Sequence, residues 1–167
     1  WGIGWQVLYD GLEITQFTYF QQSGGVDLSP ISVELTYGLE RFAMALQGVD
    51  NIYDLQWASG VSYRDVRYED EVQQSKYAFG RFEMAGTGFA ELHRDLFNRC
   101  YDFAKTLIDA GLVLPALDYC LKCSHLFNVL DASGSIGVTE RMAYMLRVRQ
   151  LAVAIARKWA GVDEHGS

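Results

Sequence analysis

Segment 32–42 most constrains the fold of this chain, because a strand gives way to a helix there at a single glycine. Before Gly38 polar and apolar residues alternate as on a strand, and after it apolar residues recur with the spacing of one helix face. Those apolar residues are Leu39, Phe42, Ala43 and Leu46. Arg41 falls in the first helical turn and is the first cation of the chain, after five acids. The pattern predicts an unpaired arginine facing an acidic sheet, where a polyanion held by a metal ion could bind.

Three strands are predicted around this junction. They cover residues 3–9, 12–22 and 31–37. The dipeptide Asp10-Gly11 is typical of a two-residue hairpin turn between the first two strands. Residues 23–30 contain two glycines and a proline and are expected to form a loop.

The rest of the chain is predicted to be mainly helical, and residues 48–63 are expected to be irregular, with no strand after them. Helices are predicted over 38–47, over 64–79, from Phe89 to Gly111, from Pro115 to about Leu130, and from a Thr139 cap onward. The two longest show the apolar stripes Phe89, Leu92, Leu96, Cys100, Phe103, Leu107 and Met142, Met145, Val148, Ala152, Ile155, Trp159. Strands followed by helices indicate an α+β fold, divided into a sheet-containing domain over 1–60 and a helical domain over 61–167.

Several short stretches of this sequence stand out together. They are Trp1-Gly-Ile-Gly-Trp5, Asp10-Gly-Leu-Glu13, Thr15-Gln-Phe-Thr-Tyr-Phe-Gln-Gln22, Thr36-Tyr-Gly-Leu-Glu-Arg41, Ser124-His-Leu-Phe-Asn128, Leu130-Asp-Ala132 and Val138-Thr-Glu-Arg141. Taken together they resemble the α subunit of bacterial-type glycyl-tRNA synthetase, a class II aminoacyl-tRNA synthetase. Gly-Leu-Glu-Arg alone marks only motif 3, which the whole class shares. The string over 15–22 is specific to a much smaller group of proteins. The alanyl-tRNA synthetase core is similar around 1–47 but not beyond.

The resemblance implies an ATP site with a magnesium ion. Arg41 would meet the γ-phosphate of a bent ATP molecule, and Glu13 would hold Mg²⁺ and the phosphates. The family generally has a second acid seven residues before Glu13, where this chain has Gln6. An amide oxygen can bind Mg²⁺ but brings no negative charge, so weaker metal binding is expected. The alternative for Arg41 is a surface ion pair.

The resemblance also implies a glycine site. Glu34, which shares a strand face with Thr36, would pair with the ammonium group of the amino acid, and Gln16 would contact the amino acid as well. Trp1 and Trp5, with Tyr19 and Phe20, would narrow the pocket until only glycine fits, because a pocket gains no affinity from a side chain that glycine lacks. The alternatives are a plain surface acid for Glu34 and core packing for the aromatic residues, Phe17 and Phe20 above all.

The function implied is ATP-dependent activation of glycine to glycyl-adenylate and transfer of glycine to tRNA(Gly), with a β subunit supplying most tRNA recognition. Motifs 1 and 2 of the class precede motif 3. The chain begins with Trp1 and contains neither, so it is expected to be a C-terminal portion with little activity in isolation. The α homodimer is expected to form through the preceding part, and the enzyme to work in the cytoplasm, or in a plastid or another organelle. A non-catalytic, synthetase-derived binding or scaffold subunit is the competing hypothesis.

Charge is distributed unevenly along the chain. The net charge of −7 argues against a generic nucleic-acid coat protein. Residues 138–160 nevertheless carry five cations and one acid, so this helix is predicted to face tRNA or an acidic partner subunit, or simply solvent. No apolar run reaches the roughly 20 residues of a membrane span, and no membrane partner is expected.

The three cysteines favour a reducing compartment over a disulfide framework. Cys120 and Cys123 form a CxxC pair, but without a second pair they are not expected to bind zinc or do redox chemistry. His125, in the same apolar helix, is expected to be a core residue with a satisfied hydrogen bond.

Overall fold

The computed structural model describes residues 1–79 and 88–162. Its elements follow an α+β order, with antiparallel strands first and helices afterwards, as the sequence predicts. The strands are β1 (Gly2–Tyr9), β2 (Leu12–Ser23), β3 (Val26–Tyr37), β4 (Gln56–Ala58) and β5 (Val61–Ser62). The α-helices are α1 (Leu39–Gln47), α2 (Phe89–Asp109), α3 (Val113–Ala132) and α4 (Val138–Ala160).

The first three strands form one sheet in the order β1-β2-β3. Asp10 and Gly11 both have positive φ, 51° and 83°, which confirms the tight turn between β1 and β2. The predicted loop over 23–30 is wrong, since β3 begins at Val26 and only a turn at Gly24 and Gly25 separates it from β2. Two consecutive glycines at positive φ allow a turn that needs no longer loop.

Residues 48–63 are not irregular throughout, which corrects the sequence prediction. A 3₁₀ turn over Ile52–Asp54 precedes a small antiparallel hairpin of β4 and β5, which turns at Gly60. Three- and two-residue strands leave almost no alternation in the sequence, so periodicity could not find them. Helical structure over 64–79 is confirmed, as a π-helix over Arg64–Gln73 and a 3₁₀ helix over Gln74–Phe79.

Helix α2 begins at Phe89 as predicted, whereas α3 and α4 begin slightly earlier than predicted. Pro115 is the third residue of α3, not the first. Helix α4 begins at Val138 after Gly137, and no side chain caps it, so the predicted Thr139 cap is wrong. Extended backbone at Gly137, with ψ of 174°, already turns the chain into the helix.

The helical core is built by α2, α3, α4 and the turn before α4. Its buried residues are Phe97, Ala104, Leu107, Ala116, Cys120, Cys123, Leu130, Ile136, Tyr144, Leu151 and Ile155. The predicted stripes were only partly right, because Leu92, Phe103, Met142 and Met145 are exposed while Phe97 and Tyr144 are buried. Apolar residues cover much more than one face of α2 and α4, and periodicity alone does not show which of two neighbouring stripes meets the other helices.

Contacts divide the chain into two compact units. One comprises residues 1–22 and 27–75, and the other comprises 23–26 together with the chain from residue 76. The predicted domain division at residues 60 and 61 stays a prediction. Across the two described ranges, none of the helices combines the length and the apolar character needed to cross a membrane.

Candidate functional site

The junction between β3 and α1 is anchored on an irregularity in β2. The pairing of β1 with β2 shifts register between Val7 and Leu8, so that Ile14 is the extra residue of a bulge. The amide of Gly38 donates a hydrogen bond to the Ile14 carbonyl at 2.9 Å, and the amide of Phe42 donates to Gly38 at 2.9 Å. The helix therefore starts directly on the bulged part of the neighbouring strand, which places Arg41 over β2.

Arg41 is paired, which corrects the prediction of a free cation. Its Nη1 donates to the Glu13 carbonyl at 2.8 Å and lies 3.6 Å from Glu13 Oε1. The structure thus brings together the two residues predicted for phosphate and metal binding. Both side chains reach solvent, with 48% of the Arg41 side chain and 27% of the Glu13 side chain exposed. An ion pair this open is worth about 0–1 kcal/mol, so a ligand can replace it at little cost.

Glycine at position 38 leaves room for the Arg41 side chain. A Cβ atom there would lie 3.1 Å from Arg41 Cδ, closer than ordinary van der Waals contact. The φ of Gly38 is −81°, so its backbone could hold other residues. The glycine is therefore needed for the approach of Arg41 and not for the backbone conformation.

The amide side chains predicted for the metal and the amino acid lie on the same face as Glu13. Gln6 is the cross-strand partner of Gln16, and Leu8 is the cross-strand partner of Glu13. Direct partners share a sheet face, and so do Gln6 and Leu8, two residues apart on β1. Gln6, Gln16 and Glu13 therefore form one polar surface, next to the Arg41 turn.

The tryptophans predicted for the glycine pocket are not brought to this surface. Trp5 pairs with Phe17 across the strands and stacks on it at 5.1 Å, with Tyr19 edge-on at 6.1 Å, on the opposite face from Gln16. Trp1 is 69% exposed and holds the β2 end through backbone hydrogen bonds to Gln21 and Gln22. Phe17 and Phe20 are half-buried, so the alternative of a fully buried aromatic core is wrong too.

Glu34 and Thr36 interact with each other on β3, the edge strand of the sheet. The Thr36 hydroxyl donates to Glu34 Oε1, and the Thr15 hydroxyl donates to the Thr36 carbonyl at 2.7 Å. Both residues are exposed. Within the described ranges no hydrogen bond or ion pair connects either side chain to Arg41, so the predicted ammonium site remains a separate group on the neighbouring strand.

The donor set at this surface is compatible with a magnesium ion but not with a fully protein-bound metal. In the described part of the chain no group of three or more His, Cys, Asp and Glu side chains could hold a metal. Glu13 offers one carboxylate, and Gln6 and Gln16 offer neutral amide oxygens. Magnesium usually takes one or two carboxylates and completes its shell with water and substrate phosphates, so these residues fit it only together with a phosphate ligand.

A cluster of tyrosines around Glu71, which the sequence analysis missed, joins the 3₁₀ turn over Ile52–Asp54 to the π-helix. Glu71 accepts hydrogen bonds from Arg67 Nε at 3.0 Å, from the Tyr63 hydroxyl at 3.1 Å and from the Tyr53 hydroxyl at 3.4 Å. The pKa of the Glu71 carboxyl is lowered below its usual value, chiefly by the hydrogen bond from Arg67. Arg67 and Glu71 are four residues apart on the π-helix, whereas Tyr53 and Tyr63 reach Glu71 from outside it, so no single period marked the cluster.

The last turn of α1 is clamped to β4 by one side chain. Gln47 accepts from the Gln56 amide at 2.8 Å and donates to the Gln56 carbonyl at 3.1 Å. Together with the Gly38 hydrogen bond to β2, this fixes both ends of the helix that carries Arg41.

The CxxC pair is structural. Cys120 and Cys123 are buried on α3, and their thiols lie 3.9 Å from the Val148 carbonyl and 3.8 Å from the Phe97 carbonyl. Burial raises the pKa of Cys120, and burial together with the neighbouring thiols raises the pKa of Cys123 to about 12. His125, predicted to be in the core, is instead exposed on the outer side of α3.

These thiol environments predict selective alkylation. At pH 8 the thiolate of Cys123 is scarce because its pKa is raised to about 12. Iodoacetamide should therefore modify half-buried Cys100 in the native protein at least tenfold faster than Cys120 or Cys123, as peptide mass spectrometry would measure. In denaturant the three rates should converge. Rapid native labelling of Cys123 would show that the α3 core opens.

A protein-family model described as "Glycyl-tRNA synthetase alpha subunit" matches residues 1–164 of this chain. The match includes every residue of the candidate site and nearly the whole 167-residue sequence.

Proposed function

Because the chain belongs to the glycyl-tRNA synthetase alpha subunit family, we propose that it contributes the ATP and glycine site of a glycine-tRNA ligase. The reaction has two steps. The carboxylate of glycine attacks the α-phosphate of ATP, giving glycyl-adenylate and pyrophosphate, and the glycyl group then passes to the terminal ribose of tRNA(Gly). No protein nucleophile is needed, since positioning and charge neutralisation supply the catalysis.

The observation that carries this proposal is the pairing of Arg41 with Glu13 on a polar sheet surface. A guanidinium with an exposed edge is suited to phosphate oxygens, and here it lies beside Glu13, the one carboxylate that strands β1 and β2 carry. Arg41 would release Glu13 and bind the γ-phosphate of ATP, and it would stabilise the charge that grows on pyrophosphate as it leaves. Glu13, with Gln6, would then hold Mg²⁺, which neutralises phosphate charge when bound.

Glycine would be bound along the same sheet. Gln16 lies on the same sheet face as Glu13, and its side-chain amide can donate a hydrogen bond to the glycine carboxylate. Glu34, oriented by the Thr36 hydroxyl, would pair with the ammonium group from the edge strand. Trp5 lies on the opposite face of the sheet and Trp1 lies at the β2 end, so neither is proposed to limit the size of this pocket.

The proposed partners follow from the family. They are glycine, ATP, tRNA(Gly), a β subunit or β-like region, and a second α chain in a homodimer. We place the enzyme in the cytoplasm or in an organelle of bacterial descent. The isolated chain is expected to have little activity.

The metal assignment predicts opposite effects of two substitutions. Gln6→Glu should move half-saturation by Mg²⁺ to concentrations lower by a factor on the order of ten. An added charge about 4 Å from a divalent ion is worth about 2 kcal/mol in water and less once salt screens it. Glu13→Gln should shift the titration the other way by a similar factor. The measurement is Mg²⁺-dependent ATP binding by calorimetry.

Gln21→Glu is the matched control, because it adds the same charge to β2 away from Glu13. It should leave the titration within about twofold of wild type. Unchanged titrations for both test variants would remove residues 6 and 13 from the metal site.

One observation favours a non-catalytic subunit as the second candidate. Gln6 leaves the surface with one carboxylate, and that carboxylate is neutralised by Arg41. Such a subunit would bind a partner protein or RNA but would bind ATP no more tightly with Mg²⁺ than without it, so the same calorimetric titration separates the two candidates.

A further inference from the structure

A concave surface, the α2–α4 groove, lies along helices α2 and α4 of the helical unit. It has a volume of about 490 Å³, and its floor is apolar, formed by Ile108, Leu146, Val153 and Ala154. A smaller hollow of about 250 Å³ continues it along α2 and shares Ile108 and Ala154 with it. Residues 146–162, which belong to α4 and the turn after it, run along the larger hollow. At 1.5 Å per residue this segment is about 24 Å long.

Three cations stand along the α2–α4 groove. Arg149, Arg157 and Lys158 line the larger hollow, and no acid of the described ranges lines it, while the smaller hollow adds one cation, Lys105, and one acid, Asp109. None of the three side chains makes a hydrogen bond, an ion pair or a ring contact with the residues that the structure describes. By contrast, Arg141 and Arg147 on the same helix bind Asp131 and Asn98. The helix dipole favours Arg157 and Lys158 in the last turn of α4, but it does not account for Arg149 near the middle.

We propose that the α2–α4 groove binds an acidic amphipathic helix of a partner protein. Such a helix of about 16 residues matches the length of the groove. Its apolar side chains, spaced i, i+3, i+4 and i+7, would lie on Ile108, Leu146 and Val153. Carboxylates flanking that apolar stripe would reach the three unpaired cations, so charge complementarity fixes the orientation and the apolar floor supplies the affinity.

RNA fits the same groove poorly. A sugar-phosphate backbone would satisfy the cations but would leave the apolar floor against polar groups, and RNA-binding grooves instead offer aromatic faces for base stacking. The residues of the larger hollow include no aromatic side chain, and Tyr101, the one aromatic residue of the smaller hollow, already has the Arg147 guanidinium over its ring at 4.1 Å.

The test uses the full 167-residue chain and synthetic 16-residue helical peptides. The first peptide carries leucines at the helix-face spacing flanked by glutamates, the second has lysines in place of the glutamates, and the third has serines in place of the leucines. Fluorescence anisotropy of labelled peptides gives the dissociation constants. The first peptide should bind at least tenfold more tightly than either of the others, and a 16-base-pair RNA duplex should not displace it.

Substitutions on the protein then locate the site. Arg157→Glu combined with Lys158→Glu should weaken the first peptide at least tenfold, and Leu146→Ser, at a side chain already 55% exposed, should weaken it about fivefold with the fold intact. Arg99→Glu, on the exposed side of α2, is the charge-reversal control and should change binding less than twofold.

Four results would overturn the proposal: equal binding of the acidic and basic peptides, displacement by the RNA duplex, insensitivity to the groove substitutions, or a dimer that light scattering shows to dissociate in the Leu146→Ser variant, which would mean that a second copy of the chain occupies the groove. Binding of these peptides requires neither glycine nor ATP, so failure here would leave the ligase proposal standing, and failure of the ligase assays would leave the groove proposal standing.

Discussion

Replacing Arg41 by alanine should lower glycine-dependent pyrophosphate exchange by about 30- to 900-fold in an active preparation of the enzyme. Removing one charge-stabilising donor from a transition state typically costs about 2–4 kcal/mol, and each 1.36 kcal/mol is tenfold in rate. The fold should survive, because Arg41 is half exposed and its pair with Glu13 is an open ion pair. Exchange of labelled pyrophosphate into ATP and thermal unfolding of the same sample measure the two effects.

Two companion variants test whether the geometry of the Arg41 side chain matters in addition to its charge. Arg41→Lys keeps the cation but loses the planar fork, and it should recover only part of the lost rate. Gly38→Ala keeps Arg41 itself but places a methyl group 3.1 Å from its Cδ, so it should lower exchange less than Arg41→Ala. Wild-type exchange in a folded Arg41→Ala protein would remove Arg41 from the reaction.

Replacing Phe97 by alanine should destabilise the helical unit by about 3–5 kcal/mol, the usual cost of deleting a buried phenylalanine. Its side chain is fully buried, meets the Tyr144 ring edge-on at 4.5 Å, and lies under the Arg147 guanidinium at 4.7 Å. Whole domains are stable by only about 5–15 kcal/mol. The variant should therefore lose its helical circular dichroism signal at a lower denaturant concentration than the wild-type protein.

Leu92→Ala is the matched control on the same helix. Leu92 belongs to the stripe that periodicity favours, but it is 55% exposed, so its replacement should cost less than about 1 kcal/mol. Equal losses in the two variants would mean that α2 packs through the stripe predicted from sequence and not through Phe97.

Local sequence patterns predicted the turn and the helix start next to the candidate site. Asp10-Gly11 defines a hairpin turn by its backbone chemistry alone, and the change of period at Gly38 marks where the strand becomes a helix. Both signals lie within a few neighbouring residues. The small β4–β5 hairpin and the choice of buried stripe on α2 and α4 depend on contacts distant in sequence, which periodicity does not contain.

The candidate site shows the same division. Arg41 and Glu13 were named from motif positions, yet their pairing depends on the bulge at Ile14, which no local pattern announced. Trp5 was expected beside Gln16, but strict alternation along β1 and β2 places them on opposite faces of the sheet. Residues adjacent in a motif can therefore face different surroundings, and the register decides which of them act together.

The Arg41–Glu13 pair also leaves the polar surface with little net charge, because one positive and one negative group cancel each other. A lone anion that binds Arg41 would leave Glu13 without its cation, and a lone metal ion that binds Glu13 would leave Arg41 without its anion. A metal–triphosphate complex would satisfy both groups at once. The proposed site would therefore bind the metal ion and the triphosphate together more tightly than it binds either of them alone.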